Sequence, residues 1–216
     1  MTIITRIALP TAQENMDHDA ATAGQASPPT IRIYTWPAAG ITYPERRPGP
    51  ALTWNIDTGH RPTGGGILFH SPGSIVFSIV APMDDVALPR PLKSKLATVG
   101  QWIREGLNSA GYPTSPDTEC PQHLQNRLFC TSYHNPYELR FNGEKVAAMA
   151  LLKSRSSILI QGIIHVVSNH PYFEHLGTEV RPYLSSGLGG TIDDTSRITD
   201  HLISKIPEML GFTLIP

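Results

Sequence analysis

Two side chains in this 216-residue chain have the types and spacing for acyl chemistry: Cys130 and, fifteen residues later, Lys145. A thiolate attacks a carbonyl and carries the acyl group as a thioester. Exchange between thioesters is nearly balanced, and onward transfer to an amine is downhill. A cation such as Lys145 beside the sulfur favours the thiolate. A second group, Arg61-Pro62-Thr63-Gly64-Gly65-Gly66, precedes a strand-like stretch ending at His70. Consecutive glycines let main chain approach a ligand and present its N–H groups, and Arg61 adds fixed positive charge. The segment is no Walker loop, since Gly-Lys-Ser/Thr is missing, and no helix opens behind it as in a dinucleotide fingerprint.

Each feature has a plainer reading by residue type alone. A cysteine is usually a small buried apolar residue. A hairpin lysine is usually solvated, so that truncating Lys145 would cost little stability. A glycine triplet is often only a turn. The nine histidines, among them His123 and His175, show no His-x-His or His-x-x-x-His spacing on one element, and no Cys-x-x-Cys exists. No metal is therefore expected. A Cys/His hydrolase would leave the glycine segment unexplained.

The elements that must position these groups follow from periodicity. Residues 11–23 read as a helix, and Ile31 to Trp36 as a strand. Ile67 to His70, the turn Ser71-Pro72-Gly73 and Ile75 to Val80 read as a hairpin. Ile67, Phe69 and Ile75 are candidates to line an acyl tunnel. Leu96, Val99, Trp102, Ile103 and Leu107 recur at helical spacing within residues 92–110, and Gly111 closes that helix. Four strands are expected over 128–131, 137–141, 146–152 and 158–167, with Cys130 at the end of the first. Asn142-Gly143 is a strong hairpin signal. Residues 193–210 read as a closing helix that Pro207 kinks or ends early.

Hydrophobic residues make up 40% and charged residues 16%, with net charge −1. Nothing in that balance points to nucleic acid or an anionic membrane. No apolar stretch approaches the ~20 residues of a membrane span. Two cysteines do not make a disulfide framework, which fits a reducing, cytoplasmic setting. Residues 1–216 are expected to form one domain, residues 1–10 flexible, without a C-terminal accessory domain.

Two motifs in combination carry a resemblance. Arg61-x-x-Gly64-Gly65-Gly66-x-x-Phe69-His70-x-x-Gly73 resembles the arginine-glycine segment of the lipoate/biotin protein ligase and octanoyltransferase family. Asn142-Gly143-Glu144-Lys145-Val146 with Ala147, Ala148 and Ala150 resembles that family's lysine turn. Asn15 to Ala20 and Ile31 to Trp36 resemble its opening helix and first strand, so the likeness spans roughly residues 11–170. Departures are His60 in place of a second basic residue, and Gln161-Gly162-Ile163 where Gln-His-Gly is usual.

The resemblance implies an α+β fold: a single mixed, largely antiparallel sheet with helices on its outer face, as in class II biotin/lipoyl ligases. It implies Cys130 and Lys145 as catalytic residues. It implies Arg61, Gly64, Gly65, Gly66, His70, Gly73, Ala147 and Ala148 as substrate-binding residues. Cys130 falls where the cysteine-dependent octanoyltransferases and amidotransferases carry their nucleophile; Cys120 has no such match and is a bystander. The implied donor is an acyl carrier protein or another octanoyl carrier, and no cofactor is required. The implied acceptor is a lysine of a lipoyl domain of a 2-oxoacid dehydrogenase or of the glycine cleavage H protein. Alternatives are an ATP- and Mg²⁺-dependent lipoate-protein ligase working through lipoyl-AMP, in which Cys130 only packs, and a catalytically silent relative.

Overall fold

The computed structural model describes residues 2–25, 28–46, 55–83, 88, 91–118, 129–132, 134–173 and 184–210. Cys120, His123, Leu128, His175 and the 47–50 part of the Glu45-to-Pro50 loop lie outside the described residues.

Among the described residues, ten strands run in chain order: β1 (Ile3–Thr5), β2 (Thr30–Thr35), β3 (Gly40–Pro44), β4 (Asp57–Arg61), β5 (Leu68–His70), β6 (Ile75–Pro82), β7 (Ser115–Pro116), β8 (Leu139–Phe141), β9 (Glu144–Lys153) and β10 (Ser157–Ile164). The described α-helices are α1 (Ala12–Gln25), α2 (Leu92–Ser109), α3 (His170–Phe173) and α4 (Ile192–Leu210). The larger sheet has the order β1-β2-β6-β10-β9-β8-β7, the smaller β4-β3-β5. Among the described strands, only β1–β2 and β3–β4 pair in parallel. The α+β, largely antiparallel architecture expected from the resemblance is the one found.

Alternation along the strands sorts the core. Ile31, Ile33, Ile75, Phe77, Ile79, Ile158 and Ile160 face α2 and α4, packing on Val99, Trp102, Ile103, Leu107, Ile198 and Leu202. The opposite face of the same sheet carries Tyr34, Val76, Ala148 and Ile163 against Ala12 and Met16 of α1. Both faces of the large sheet are therefore covered. A side chain at Gly106 would meet Leu202 at 2.6 Å, so α2 and α4 pack closely at that point. Thr11 and Glu14 form a reciprocal cap on α1, and Asp57 adds its carboxylate to the Ala12 N–H at 2.6 Å.

Two expectations are corrected. Residues 67–80 are no hairpin: β5 pairs with β3 in the small sheet, and β6 pairs with β2 and β10 in the large one. The chain changes sheets at Ser71–Ser74, where the Gly73 N–H donates to the Trp36 carbonyl and the Trp36 N–H to the Ser74 carbonyl. Gly73, at φ +86°, makes that corner. Cys130 does not end a strand; Phe129 makes one bridge to Ile67, and Cys130–Ser132 is a turn of 3-10 helix. α4 reaches Leu210, the expected end of the closing helix, with Pro207 inside it. Asn142 (φ +49°) and Gly143 (φ +83°) form the tight turn between β8 and β9 that their sequence signals.

Candidate functional site

The glycine segment and the 3-10 turn meet edge to edge. The Cys130 N–H donates to the Ile67 carbonyl at 2.9 Å, beside the Ile67–Phe129 bridge. This contact brings Cys130 Sγ to the Gly66 main chain: the Gly66 N–H points at the sulfur at 3.2 Å, and Sγ lies 3.3 Å from the Gly66 carbonyl. Arg61, at the end of β4, is 3% exposed. Its Nη1 donates to the carbonyl and Oγ1 of Thr42 at 2.9 and 3.1 Å. Its Nη2 donates to the Gly64 and Gly66 carbonyls and lies 3.5 Å from Sγ. Arg61 therefore clasps the glycine segment and places its charge beside the thiol, with most of its donors committed to protein oxygens.

Cys130, Arg61, His70 and Ala148 line one cavity that is partly open to solvent. Met16, Leu68 and Val76 add its apolar wall, and Gln161 a polar edge. Ile67, Phe69 and Ile75, expected to line a tunnel, do not: Ile67 and Phe69 pack with Ile41 and Tyr43, and Ile75 faces the helices. Their neighbours Leu68 and Val76 face the cavity instead, because successive residues of a strand point to opposite sides. Gly64, Gly65, Gly66, Gly73 and Ala147 stand outside this lining. Ala147 packs in the helix-side core.

His70 is fully buried. Its ring stacks on Trp36 with centroids 4.0 Å apart, and Nε2 meets Thr42 Oγ1 at 2.9 Å. Burial, with His165 and Arg61 adding, holds His70 well below the usual histidine range, so it is neutral at pH 7. Burial likewise lowers His165 to about 4.

Lys145 departs most from its expectation. It is 3% exposed rather than solvated. Its ammonium lies 2.6 Å from Glu138 Oε2 and 3.1 Å from Asp117 Oδ2, and donates to the Cys130 carbonyl at 3.2 Å. Three donors thus meet three acceptors. Burial pushes Glu138 up to about 7, while Lys145 and the Met149 N–H pull the other way. Burial also pushes Asp117 up, but hydrogen bonds from Arg140 and Lys145 outweigh it and hold its carboxyl below the ordinary range. Lys145 reaches Cys130 from behind the cavity, through its main chain. Asp117 and Glu138 were not picked out in the sequence. The one available signal was the alternation of Tyr137, Leu139 and Phe141, which puts Glu138 on the opposite face.

The substitution at the Gln-His-Gly position also has a physical counterpart. A Cβ on Gly162 would lie 2.2 Å from Phe77 Cζ, so Phe77 fills the space that any side chain there would need. Among the described residues, no group of three or more His, Cys, Asp or Glu could hold a metal ion, and no helix is long and apolar enough to cross a membrane.

The chain is similar in sequence and fold to known proteins. The family model described as the lipoyl protein ligase A/B catalytic domain matches residues 12–183. The octanoyltransferase LipM of Exiguobacterium sp. is 26% identical over 169 residues, covering 70% of this chain and 60% of the relative. The chain thus spans less than two thirds of that relative's length. A T. acidophilum protein with bound lipoic acid superposes with TM-score 0.73 at 15% identity, covering 100% of this chain and 88% of the other. A lipoate-protein ligase A bound with ATP gives TM-score 0.71 at 15% identity, covering 100% and 88%. A Thermoplasma acidophilum bi-partite lipoate protein ligase, studied with its E2 lipoyl domain, gives TM-score 0.71 at 15% identity, covering 99% and 85%. These structures share the fold.

Proposed function

The chain belongs to the lipoyl protein ligase A/B catalytic domain family, and we propose that within it this chain transfers an octanoyl or lipoyl group to a carrier-domain lysine through a thioester on Cys130. The carrying observation is the setting of the sulfur: it borders the cavity, with the Gly66 N–H at 3.2 Å and the Arg61 guanidinium at 3.5 Å. A main-chain donor and a fixed cation are the groups that stabilise negative charge on a thiol and on the oxygen of a tetrahedral adduct.

The cycle balances without a cofactor. Sγ attacks the carbonyl carbon of a thioester donor, the donor's C–S bond breaks, and the thiol proton leaves with the donor's sulfur. The acyl chain then lies among Met16, Leu68, Val76 and Ala148. The amine of the carrier lysine attacks the enzyme thioester, an amide forms, and Sγ regains a proton from the amine. Lys145 acts as a positioning residue, fixing the Cys130 carbonyl. His70, neutral and locked by Trp36 and Thr42, is a wall of the cavity. The carrier is a lipoyl domain or an H protein, the donor an octanoyl carrier protein.

Arg61 supports transferase over ligase. A phosphate clamp needs donors directed at the ligand, and four of the Arg61 contacts go to Thr42, Gly64 and Gly66 oxygens. The test supplies a lipoyl-domain acceptor with octanoyl carrier protein and no nucleotide, and separately with ATP, Mg²⁺ and lipoate. Acceptor mass should rise in the first mixture. A rise only in the second would replace the transferase by a ligase.

A further inference from the structure

The glycine segment has no side chains with which to hold its own shape. Gly65 has φ +99°, and a side chain on Gly64 would meet nothing within 4 Å. Three consecutive glycines have more backbone freedom than any other triplet. Yet the Gly66 N–H is aimed at Cys130 Sγ. Arg61 holds two carbonyls of the segment. A second anchor enters from the other side, at Thr63.

Thr63 is 1% exposed, and its hydroxyl donates to Gln161 Oε1 at 2.8 Å. The other end of that amide, Nε2, donates to Asp19 Oδ2 at 2.8 Å. Asp19 also accepts from Ser78 Oγ at 2.8 Å and from Arg32 Nη1 at 3.0 Å. Arg32, Ser78 and Gln161 are register neighbours on β2, β6 and β10, a polar row across three strands beneath α1. An ionised carboxylate only accepts, so the Gln161 nitrogen must face Asp19 and its oxygen must face Thr63. The direction of every bond in the chain is thereby fixed.

We infer that the Asp19–Gln161–Thr63 relay sets the aim of the Gly66 N–H on Cys130, making Thr63 and Gln161 positioning residues for the thioester step. The inference rests on Cys130 being the reacting thiol. The relay reaches the sulfur only through Thr63 and the glycines, so its loss acts on the rate of attack rather than on donor binding. Misplacement by a fraction of an ångström is enough to slow an oriented attack.

The test uses the full chain with Cys120→Ser, leaving Cys130 as the one thiol. Thr63→Val keeps size and removes the hydroxyl; Thr63→Ser keeps the hydroxyl. Thr63→Val should lower kcat for octanoyl transfer roughly tenfold and leave the donor KM within about twofold. It should slow alkylation of Cys130 by iodoacetamide by a similar factor. Thr63→Ser should restore most of both rates. Gln161→Met, which keeps the length, removes both amide bonds and leaves Asp19 with Arg32 and Ser78, should reproduce the Thr63→Val losses in kcat and alkylation and covers the case in which Thr63→Val does not fold. Wild-type kcat and alkylation in Thr63→Val or Gln161→Met would overturn the relay, as would Thr63→Ser being as slow as Thr63→Val. Absence of octanoyl transfer in the unsubstituted enzyme would sink the functional reading alone, because the alkylation rates still decide the relay.

Discussion

Cys130 is held from two sides by opposite means. On the cavity side, the glycine segment touches the sulfur through main chain, steered by Arg61 and Thr63. On the far side, the β8–β9 hairpin touches the Cys130 carbonyl through Lys145, which stands in a buried cluster with Asp117, Glu138 and Arg140. The first grip brings one buried cation, Arg61, to the sulfur, and its relay ends at the separate buried Asp19–Arg32 pair. The second concentrates four ionisable groups in the protein. Buried charges lose several kcal/mol each in hydration and depend on their partners to recover it. The hairpin side should therefore govern whether the protein folds, and the glycine side how fast the folded protein reacts.

The largest effect expected on stability is at Lys145. Removing one partner of a buried ion cluster costs about 3–5 kcal/mol, here because Glu138 is left without a counterion and Asp117 with Arg140 alone. Lys145→Ala should show that loss in urea unfolding, and its activity should fall because the fold does. An unchanged midpoint would mean that the hairpin lysine is dispensable to the fold and would erase the contrast between the two sides.

Protonation offers a smaller test of the folded state. His165 is lowered to about 4 by burial, against an ordinary value of 6.5. Between those values the unfolded chain binds a proton that the native chain refuses, so stability falls as pH drops from 6.5 towards 4. The full shift corresponds to about 3 kcal/mol. His70 works in the same direction. Glu138, raised to about 7, works against both, favouring the native state at lower pH. The clean readout is the difference between wild type and His165→Asn, whose stability should fall less over this window. Parallel pH profiles for the two proteins would contradict the assignment.

The glycine side should respond the other way. Gly65 has φ +99°, where a β-branched residue is strained by about 1–3 kcal/mol. Gly65→Val should stay folded at low temperature yet lose acyl transfer, because the Gly66 N–H no longer meets the sulfur. Circular dichroism and a transfer assay on one sample separate the two effects. Normal turnover would reduce the glycine segment to a turn.

The two sides also differed in how far they could be read from sequence. Regular elements with strong periods were legible: α2 from the spacing of Val99, Trp102, Ile103 and Leu107, and the β8–β9 turn from Asn142-Gly143. The glycine segment and Cys130 stood out by residue type. Lys145 stood out through its turn, but its burial did not, because its counterions come from Asp117 and Glu138 on other segments. Which strand faces line the cavity was missed by one residue, with Leu68 and Val76 in place of Ile67 and Ile75. In a fully buried strand both faces are apolar, so alternation leaves no mark. The supposed hairpin at 67–80 failed for a related reason: a tight turn fixes a change of direction, but not whether the next strand stays in the same sheet.

The account turns on a covalent bond to one sulfur, and intact mass tests it directly. The enzyme is mixed with octanoyl carrier protein without an acceptor, quenched in acid and weighed. A gain of one octanoyl group is expected, located on the peptide containing Cys130 and removed by neutral hydroxylamine. Adding a lipoyl domain before the quench should discharge it. Cys120→Ser should load normally. Cys130→Ser should form no such thioester and lose turnover by roughly 10³-fold or more, as nucleophile removal does elsewhere. An unlabelled wild-type enzyme that still modifies the acceptor, or a Cys130→Ser variant with full carrier-protein-dependent activity, would contradict a cysteine-borne thioester.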